Sequence, residues 1–411
     1  MGPLRDVFVL DLSRILAGPW ATQVLADLGA TVVKIERPGE GDDTRRWGPP
    51  WLRDGAGADS AESAYYLGAN RGKQSVAVDF TRSEGAELVR GLARGAHVVV
   101  ENFKVGGLAK HGLDWPSLRA VNPRLVYCSI TGYGQTGPYA QRAGYDAAIQ
   151  AQGGLMSLTG EPDGTPGGGP QKVGVAVADL MTGMYAVAGI LAALRHADAT
   201  GEGQQIDLAL LDTQVGWLAN QAMNYLIGGV VPQRQGTAHP NIVPYQVMPA
   251  ADGHFMLAVG NDAQFRRLCA MIGRPEWGED ARFASNAARV AHRQELVPLL
   301  AAALRREPAR HWLAVLERET VPCAPVNTLD QVFDDPQVQA RGMRIELPHA
   351  LGGKVPLVAS PLKLSATPVE YTRAPPLLGA HTRAVLADRL GLDSHAIDRL
   401  LAQGVIGATP A

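Results

Sequence analysis

The sequence predicts an α/β protein, a doubly wound parallel sheet with a smaller α+β domain attached. Three observations carry this reading. Short apolar runs alternate with helix-like segments at βαβ spacing through the first half of the chain. The chain opens on a βαβ unit in miniature, with an acid at the end of its second strand. Beyond about residue 225 the pattern becomes mixed, and 281–320 is mostly helical with amphipathic, Arg-rich faces. At 411 residues there is room for one large and one smaller domain. The expected division is a large domain over 1–224, a small domain over 225–330 and a return to the large domain over 331–411.

The elements follow in order. Val7–Leu12 is an apolar strand, Ser13–Pro19 a loop, and Pro19 suits the first turn of a helix over Trp20–Leu28 that Gly29 ends. Thr31–Glu36 is the second strand. The glycine fingerprint of dinucleotide-binding turns is missing from the first loop. Gly39–Pro50 reads as a polar loop. Strands are expected at Ser75–Asp79, His97–Glu101, Arg124–Ile130 and Gln205–Ala209, and helices at Ser83–Arg94 and Trp115–Val121. Leu211–Leu226 reads as one long helix leading to the second domain. There, Gly253–Val259 and Val321–Val326 are strands, Asp262–Ile272 is a helix and 281–320 is mostly helical. A helix starts at Asp335-Pro336, short strands fall in 345–371, and Thr382–Leu390 and Ala396–Gln403 are terminal helices.

Composition narrows the function. Lys and Arg number 38 against 40 Asp and Glu, which argues against a nucleic-acid surface or a polybasic membrane anchor. The apolar run in MGPLRDVFVLDLS is too short for a secretory signal. The three cysteines, Cys128, Cys269 and Cys323, form no disulfide framework, and a reducing cytoplasm fits. The ten histidines fall at no metal-ligand spacing, and no metal is expected.

Chemistry concentrates between Arg142 and His196. A Gly-rich segment leads to an apolar run, Val173–Ala178, then Asp179, then the apolar segment Leu180–Leu194, expected as a buried helix. Gly183 and Gly189 would each weaken an isolated helix by about 1 kcal/mol, so another backbone is expected to approach closely there. Asp179 reads either as the helix N-cap or as a catalytic carboxylate held at the helix end, and the two are compatible. Asp146 and Asp179 are the acids embedded in otherwise apolar sequence, where a charge is rarely buried without a partner or a task. A carboxylate nucleophile acting on an activated acyl group must be ionised, held rigidly and placed opposite hydrogen-bond donors that stabilise an oxyanion.

The segments LDLSRILAGPWATQVLADLGATVVKIERP, NRGKQSVAVDF, VVVENFKVGGLAKHGLDW, NPRLVYCSITGYGQTGPY, AGYDAAIQAQGGLMSLTG and VAVADLMTGMYAVAGILAAL stand along the chain, with VPCAPV and RAPPLLGAHT later. Together they resemble the family III CoA-transferases, a family that includes the 2-methylacyl-CoA racemases. The resemblance implies a Rossmann-like large domain built from both chain ends, a small domain, and two such subunits interlocked in a homodimer. It implies acyl-CoA and a small carboxylic acid as substrates, with no tightly bound cofactor and no nucleic-acid or membrane partner. Asp179 stands at the position of the family's nucleophilic aspartate. In that cycle the carboxylate attacks the donor thioester to give a mixed anhydride and CoA thiolate. The thiolate returns to give an aspartyl-CoA thioester, and the acceptor acid then takes the CoA.

By the same resemblance the CoA-binding positions are Ile15 and Ala17 in the first loop, Arg37 after the second strand, Val78 and Thr81 after the third, Asn102 and Phe103 after the fourth, and Lys110, Tyr145 and Asp146. Leu16 stands where formyl-CoA transferases have Gln, and their tetraglycine loop is absent, so oxalate and formate are not expected. In the racemase branch a G-H-D motif carries the catalytic His; here it reads Gly144-Tyr145-Asp146. A phenol with a pKa of about 10 poorly replaces an imidazole at about 6.5, which favours transfer over racemisation. NYLIGGVVPQRQGTAHPNIVPYQ and GNDAQFRRLC resemble the subgroup that acts on succinyl-CoA with dicarboxylates, with His239 and Arg234 as candidates for holding a distal carboxylate. A third reading keeps the fold without the chemistry, as a CoA-binding regulatory protein.

Overall fold

The computed structural model describes residues 2–409. Its strands are β1 (Phe8–Asp11), β2 (Thr31–Glu36), β3 (Trp51–Arg53), β4 (Asp59–Ser63), β5 (Lys73–Val78), β6 (Val98–Glu101), β7 (Val126–Thr131), β8 (Gln205–Ala209), β9 (Tyr245–Pro249), β10 (His254–Ala258), β11 (Cys323–Pro325), β12 (Arg344–Pro348), β13 (Lys354–Val358) and β14 (Ile406–Gly407). The helices that shape the site are α1 (Ala17–Asp27), α2 (Ala64–Gly68), α3 (Ser83–Arg94), α4 (Trp115–Val121), α5 (Asp146–Gln152), α6 (Leu155–Leu158), α7 (Val177–Thr200), α8 (Leu210–Gly216) and α9 (Ala219–Gly228).

Two compact units result. The first takes the chain up to Gly154, Gly174–Ala222 and the chain from Pro336 on; the second takes Leu155–Val173 and Met223–Asp335. The segment Leu155–Val173 differs from the sequence reading, which left it in the large domain. Its backbone explains why: Gly160 O accepts from Gly236 N at 3.0 Å, and Arg234 reaches both Ser157 O and the Asp163 carboxylate. A Gly-rich loop has few side chains to bury, so its polar backbone groups decide where it belongs.

The first unit is built on a sheet of order β14-β5-β2-β1-β6-β7-β8, in which every pair is parallel except β14 with β5. Alternate residues face opposite sides. Leu10, Leu12, Val33 and Ile35 pack with Val89 and Leu92 of α3 and with Leu386, Ile397 and Leu400 near the C-terminus. Val9, Val32, Val98 and Val100 pack with Leu25 of α1 and with Ala186 and Ile190 of α7. Both faces are covered, which suits strands that read as nearly continuous Val and Ile.

Several expectations need correcting. The helix expected over Leu211–Leu226 is two helices, α8 and α9, parted at Trp217–Leu218, with Ala219 at φ 45°. The expected polar loop holds a short 3-10 turn at Asp43–Arg46 and leads into the β3–β4 hairpin. Helix α7 is longer than expected and is buried on one side only. Thr182, Gly183, Ala186, Val187, Ile190 and Ala193 face the unit, whereas Met184, Tyr185 and Leu191 are exposed. By length and composition α7 could cross a membrane, but its inner stripe lies against α1, β7 and β8. At Gly183 an added Cβ would meet Ala17 O at 2.8 Å, the close approach expected there; Gly189 meets only the Ile206 side chain at 3.5 Å.

Charge is buried beneath the first loop. Lys34 lies in the middle of β2 and Lys73 opens β5, and both are fully buried. Lys34 pairs with Asp42 at 2.9 Å and Lys73 with Asp11 at 3.1 Å. Arg45 makes a bidentate pair with Glu36 at 2.8 Å and also reaches Glu62, the Tyr66 hydroxyl and Pro376 O. Removing one partner of such a set leaves an uncompensated buried charge, worth about 3–5 kcal/mol. Arg45→Ala is therefore expected to lower unfolding free energy by about that amount. Urea denaturation checks this, and a loss under about 1 kcal/mol would contradict it.

Candidate active site

The loops leaving β1, β2, β5, β6 and β7 line two cavities that share Arg14 and Phe103. Strand order reverses between β1 and β6, and in open parallel sheets ligands bind at the carboxyl ends of strands beside such a reversal. The first cavity, about 180 Å³, is lined by Ile15, Ala17, Asn102, Phe103, Tyr145 and Asp179 among others. The second, about 410 Å³, is lined by Arg37, Val78, Thr81, Phe103 and Lys110 among others. Ten of the sequence-derived candidates thus meet at one edge of the sheet. Asp146 adjoins them through Asp179.

Asp179 is the third residue of α7, and the N-cap position is held by Ala176 without a side-chain cap. The capping oxygen belongs to Asp146: its Oδ1 accepts from Ala178 N at 2.8 Å and from Asp179 N at 3.4 Å. Its Oδ2 accepts from Gln150 Nε2 at 2.7 Å. The N-cap reading of Asp179 is therefore corrected, because the free N–H groups of α7 are met by a carboxylate from α5. Among the described residues no group donates a hydrogen bond to the Asp179 carboxylate. Burial first, and then the charge of Asp146, push its pKa up to about 7.

The first loop is strained and clamped. Ile15 sits at φ 72°, which a β-branched residue rarely adopts. Asn102 accepts from Arg14 N at 2.9 Å and donates to Arg14 O at 2.7 Å, so its amide holds the loop. Phe103 packs edge-on against Phe80 with centroids 5.6 Å apart, and its backbone N–H donates to Glu101 at 2.8 Å. Arg37 and Lys110 are exposed cations on the second cavity, Arg37 meeting Glu40 at 3.0 Å. The Thr81 hydroxyl donates to Asp79 at 2.6 Å.

Tyr65 was not singled out from sequence. Its phenol pKa is raised by burial and then by the charges of Asp179 and Asp146, so it shares their surroundings. Its ring stands edge-on to Trp47 at 5.1 Å. Tyr66, the next residue, is fully buried, and nothing in the sequence pattern separates the two tyrosines. Arg234 and His239 belong to the second unit. Arg234 pairs there with Asp163, and its Nε has no partner. His239 Nδ1 accepts from Asn241 N at 3.0 Å, and burial and Arg293 hold its pKa below the usual value.

Residues 4–382 match the model of CoA-transferase family III. The chain belongs to this family, and it is a CoA-transferase of acyl-CoA and carboxylate substrates. It is 53% identical over 386 residues to the succinate–glutarate CoA-transferase of Agrobacterium fabrum, spanning 94% of this chain and 95% of that protein. It is 43% identical to the human succinyl-CoA:glutarate CoA-transferase, spanning 98% of this chain and 90% of that one. Among solved structures, a CAIB/BAIF family protein from Brucella suis superposes with a TM-score of 0.83 at 50% identity, covering 94% of this chain and 99% of that one. The mixed α/β fold with a mainly parallel central sheet is the fold of that structure.

The raised pKa of Asp179 has a consequence for stability. Its folded pKa of about 7 lies above the ordinary carboxyl value, so folding favours the protonated form. The resulting cost is absent below about pH 4, grows as pH rises and is complete above about pH 7. Asp179→Asn is expected to raise Tm, and by more at pH 8 than at pH 5. Equal Tm gains at both values would contradict the assignment.

Proposed function

We propose that this chain moves CoA from succinyl-CoA to a dicarboxylic acid of the glutarate class, with Asp179 as the covalent carrier. The observation that carries this is a carboxylate at the head of α7, on the wall of the cleft, that no group in the described structure hydrogen-bonds. A carboxylate without donors is less solvated and more nucleophilic than one in water. With a pKa of about 7, a useful fraction is ionised at neutral pH.

The cycle balances as follows. An Asp179 oxygen attacks the succinyl carbonyl, a C–O bond forms and the C–S bond breaks, leaving a succinyl-aspartyl anhydride and CoA thiolate. The thiolate attacks the aspartyl carbonyl and succinate leaves, giving aspartyl-CoA. The acceptor carboxylate then attacks the aspartyl thioester carbonyl, the C–S bond breaks, and a second anhydride and CoA thiolate result. The thiolate attacks the acceptor acyl carbonyl and frees Asp179 as a carboxylate. Two activated intermediates conserve the thioester. Arg37 and Lys110 are suited to the phosphates of CoA in the second cavity. The racemase reading is disfavoured, since Tyr145 is 64% exposed and the Asp146 oxygens are occupied by α7 and Gln150.

We read the large unit as Rossmann-like; its six parallel strands stand in the order third, second, first, fourth, fifth, sixth. A small domain centred on 225–330 and an interlocked homodimer complete the reading, and a cytoplasmic setting fits both substrates. Exposed Met184, Tyr185 and Leu191 on α7 support the dimer, since an apolar face of this kind calls for cover.

One incubation in heavy water tests the chemistry. The protein meets succinyl-CoA, 2-methylacyl-CoA and a panel of free dicarboxylates, and every CoA ester is read by mass spectrometry. New CoA esters without deuterium beside the thioester are expected, and Asp179→Ala is expected to reduce them below a few per cent. Deuterium in 2-methylacyl-CoA without new esters would mean a racemase.

A further inference from the structure

The chain from β1 into the first turn of α1 is anchored by side chains of Lys34, Lys73 and Asn102. Ser13 O accepts from Lys34 Nζ at 2.7 Å, and Pro19 O accepts from Lys73 Nζ at 2.9 Å. Asn102 clamps Arg14 from both sides. Between these anchors, Ile15 adopts φ 72° and its N–H donates to both oxygens of Asp42, each at 3.2 Å. A β-branched side chain does not hold that conformation unaided. Asp42 supplies the restraint and is itself fixed. It is 1% exposed, pairs with Lys34 at 2.9 Å and accepts from Thr44 N at 3.0 Å. Burial works to raise its pKa, but Lys34 and Thr44 outweigh burial and hold it at about 2, so the carboxylate stays charged.

Ile15 lines the cavity that contains Asp179, and Asp42 lines the neighbouring cavity. One buried side chain therefore joins the wall of one cavity to the backbone of the other. We infer that Asp42 is a positioning residue for acyl-CoA: through its bond to the Ile15 N–H it keeps the first loop in the left-handed shape that forms the wall beside Asp179. This rests on the reading of the cleft as the acyl-CoA site. Asp42 touches no reacting atom in this scheme. It acts through Ile15, with Lys34 as the counter-charge that keeps it ionised.

A double-mutant cycle separates this role from simple packing. Glycine adopts φ near 70° without strain, so a loop with glycine at position 15 no longer needs the restraint. Asp42→Asn alone is expected to raise the KM for succinyl-CoA about tenfold or more, with kcat changed less than threefold. In an Ile15→Gly background, whatever KM that substitution itself sets, adding Asp42→Asn is expected to raise KM less than about twofold. The same tenfold rise in both backgrounds would overturn the inference, since a role confined to the Lys34 pair is indifferent to position 15. A KM unmoved by Asp42→Asn would also overturn it. Should Asp42→Asn fail to fold, Ile15→Pro gives the same answer, because proline fixes φ near −65° and removes the N–H. That variant is expected to keep its Tm within a few degrees and to lose about tenfold or more in CoA affinity by calorimetry; unchanged affinity would overturn the inference. A parent protein that binds no CoA would overturn the reading of the cleft itself, which the cycle cannot mimic.

Discussion

One carboxylate on another element leaves the carboxylate at the head of α7 without the capping task. Asp146, from α5, meets the exposed N–H groups of α7 at Ala178 and Asp179, and this spares Asp179 the capping task its position invites. Two acids at one helix end repel each other, and burial adds to the cost. The helix N-terminus compensates Asp146 directly. Asp179 accepts no such hydrogen bond among the described residues, and burial, then the charge of Asp146, raise its pKa. The proposed chemistry uses this asymmetry: one carboxylate is satisfied by hydrogen bonds, and the other is the carrier we propose.

The asymmetry needs α7 to stay where it is. Gly183 lets α7 lie against Ala17 O at the start of α1, so the head of α7 and the first loop are fixed to each other. The loop in turn rests on buried charge, Lys34 with Asp42 and Lys73 with Asp11, in place of the glycines that shape a dinucleotide-binding turn. Buried ion pairs contribute little net stability compared with apolar packing, but they are directional. Here the direction is what matters, because Lys34 also holds the loop carbonyl of Ser13 and Lys73 the carbonyl of Pro19 in the first turn of α1.

Much of this was legible in the sequence. Thr31–Glu36, Ser83–Arg94, Trp115–Val121, Gln205–Ala209 and Thr382–Leu390 fall where apolar period and helix-end residues put them. The cleft residues were gathered through the family resemblance, and the two cavities bring ten of them to one edge of the sheet. What was missed depends on distant partners. The capping of α7 by Asp146 joins residues far apart in the chain, and spacing near Asp179 is silent about it. The Gly-rich segment Leu155–Val173 carries almost no hydrophobic signal, so its membership was decided by hydrogen bonds to residues about 70 positions on. The break in the Leu211–Leu226 segment has no Pro or Gly at Trp217-Leu218, and only Gly216 hinted at it. Lys34 was the one overlooked sign that could have been read: a lysine inside Thr31–Glu36, a strand too apolar to leave a charge unpaired.

The covalent role proposed for Asp179 has a direct isotopic test. When a labelled acceptor carboxylate attacks aspartyl-CoA, its oxygen becomes the anhydride bridge and stays on Asp179 after the thiolate removes the acyl group. Turnover of succinyl-CoA with glutarate labelled with oxygen-18 in both carboxylates is therefore expected to place heavy oxygen in the Asp179 side chain, located by fragmenting the peptide that contains it. Formation of glutaryl-CoA over many turnovers with no heavy oxygen at Asp179 would contradict the account.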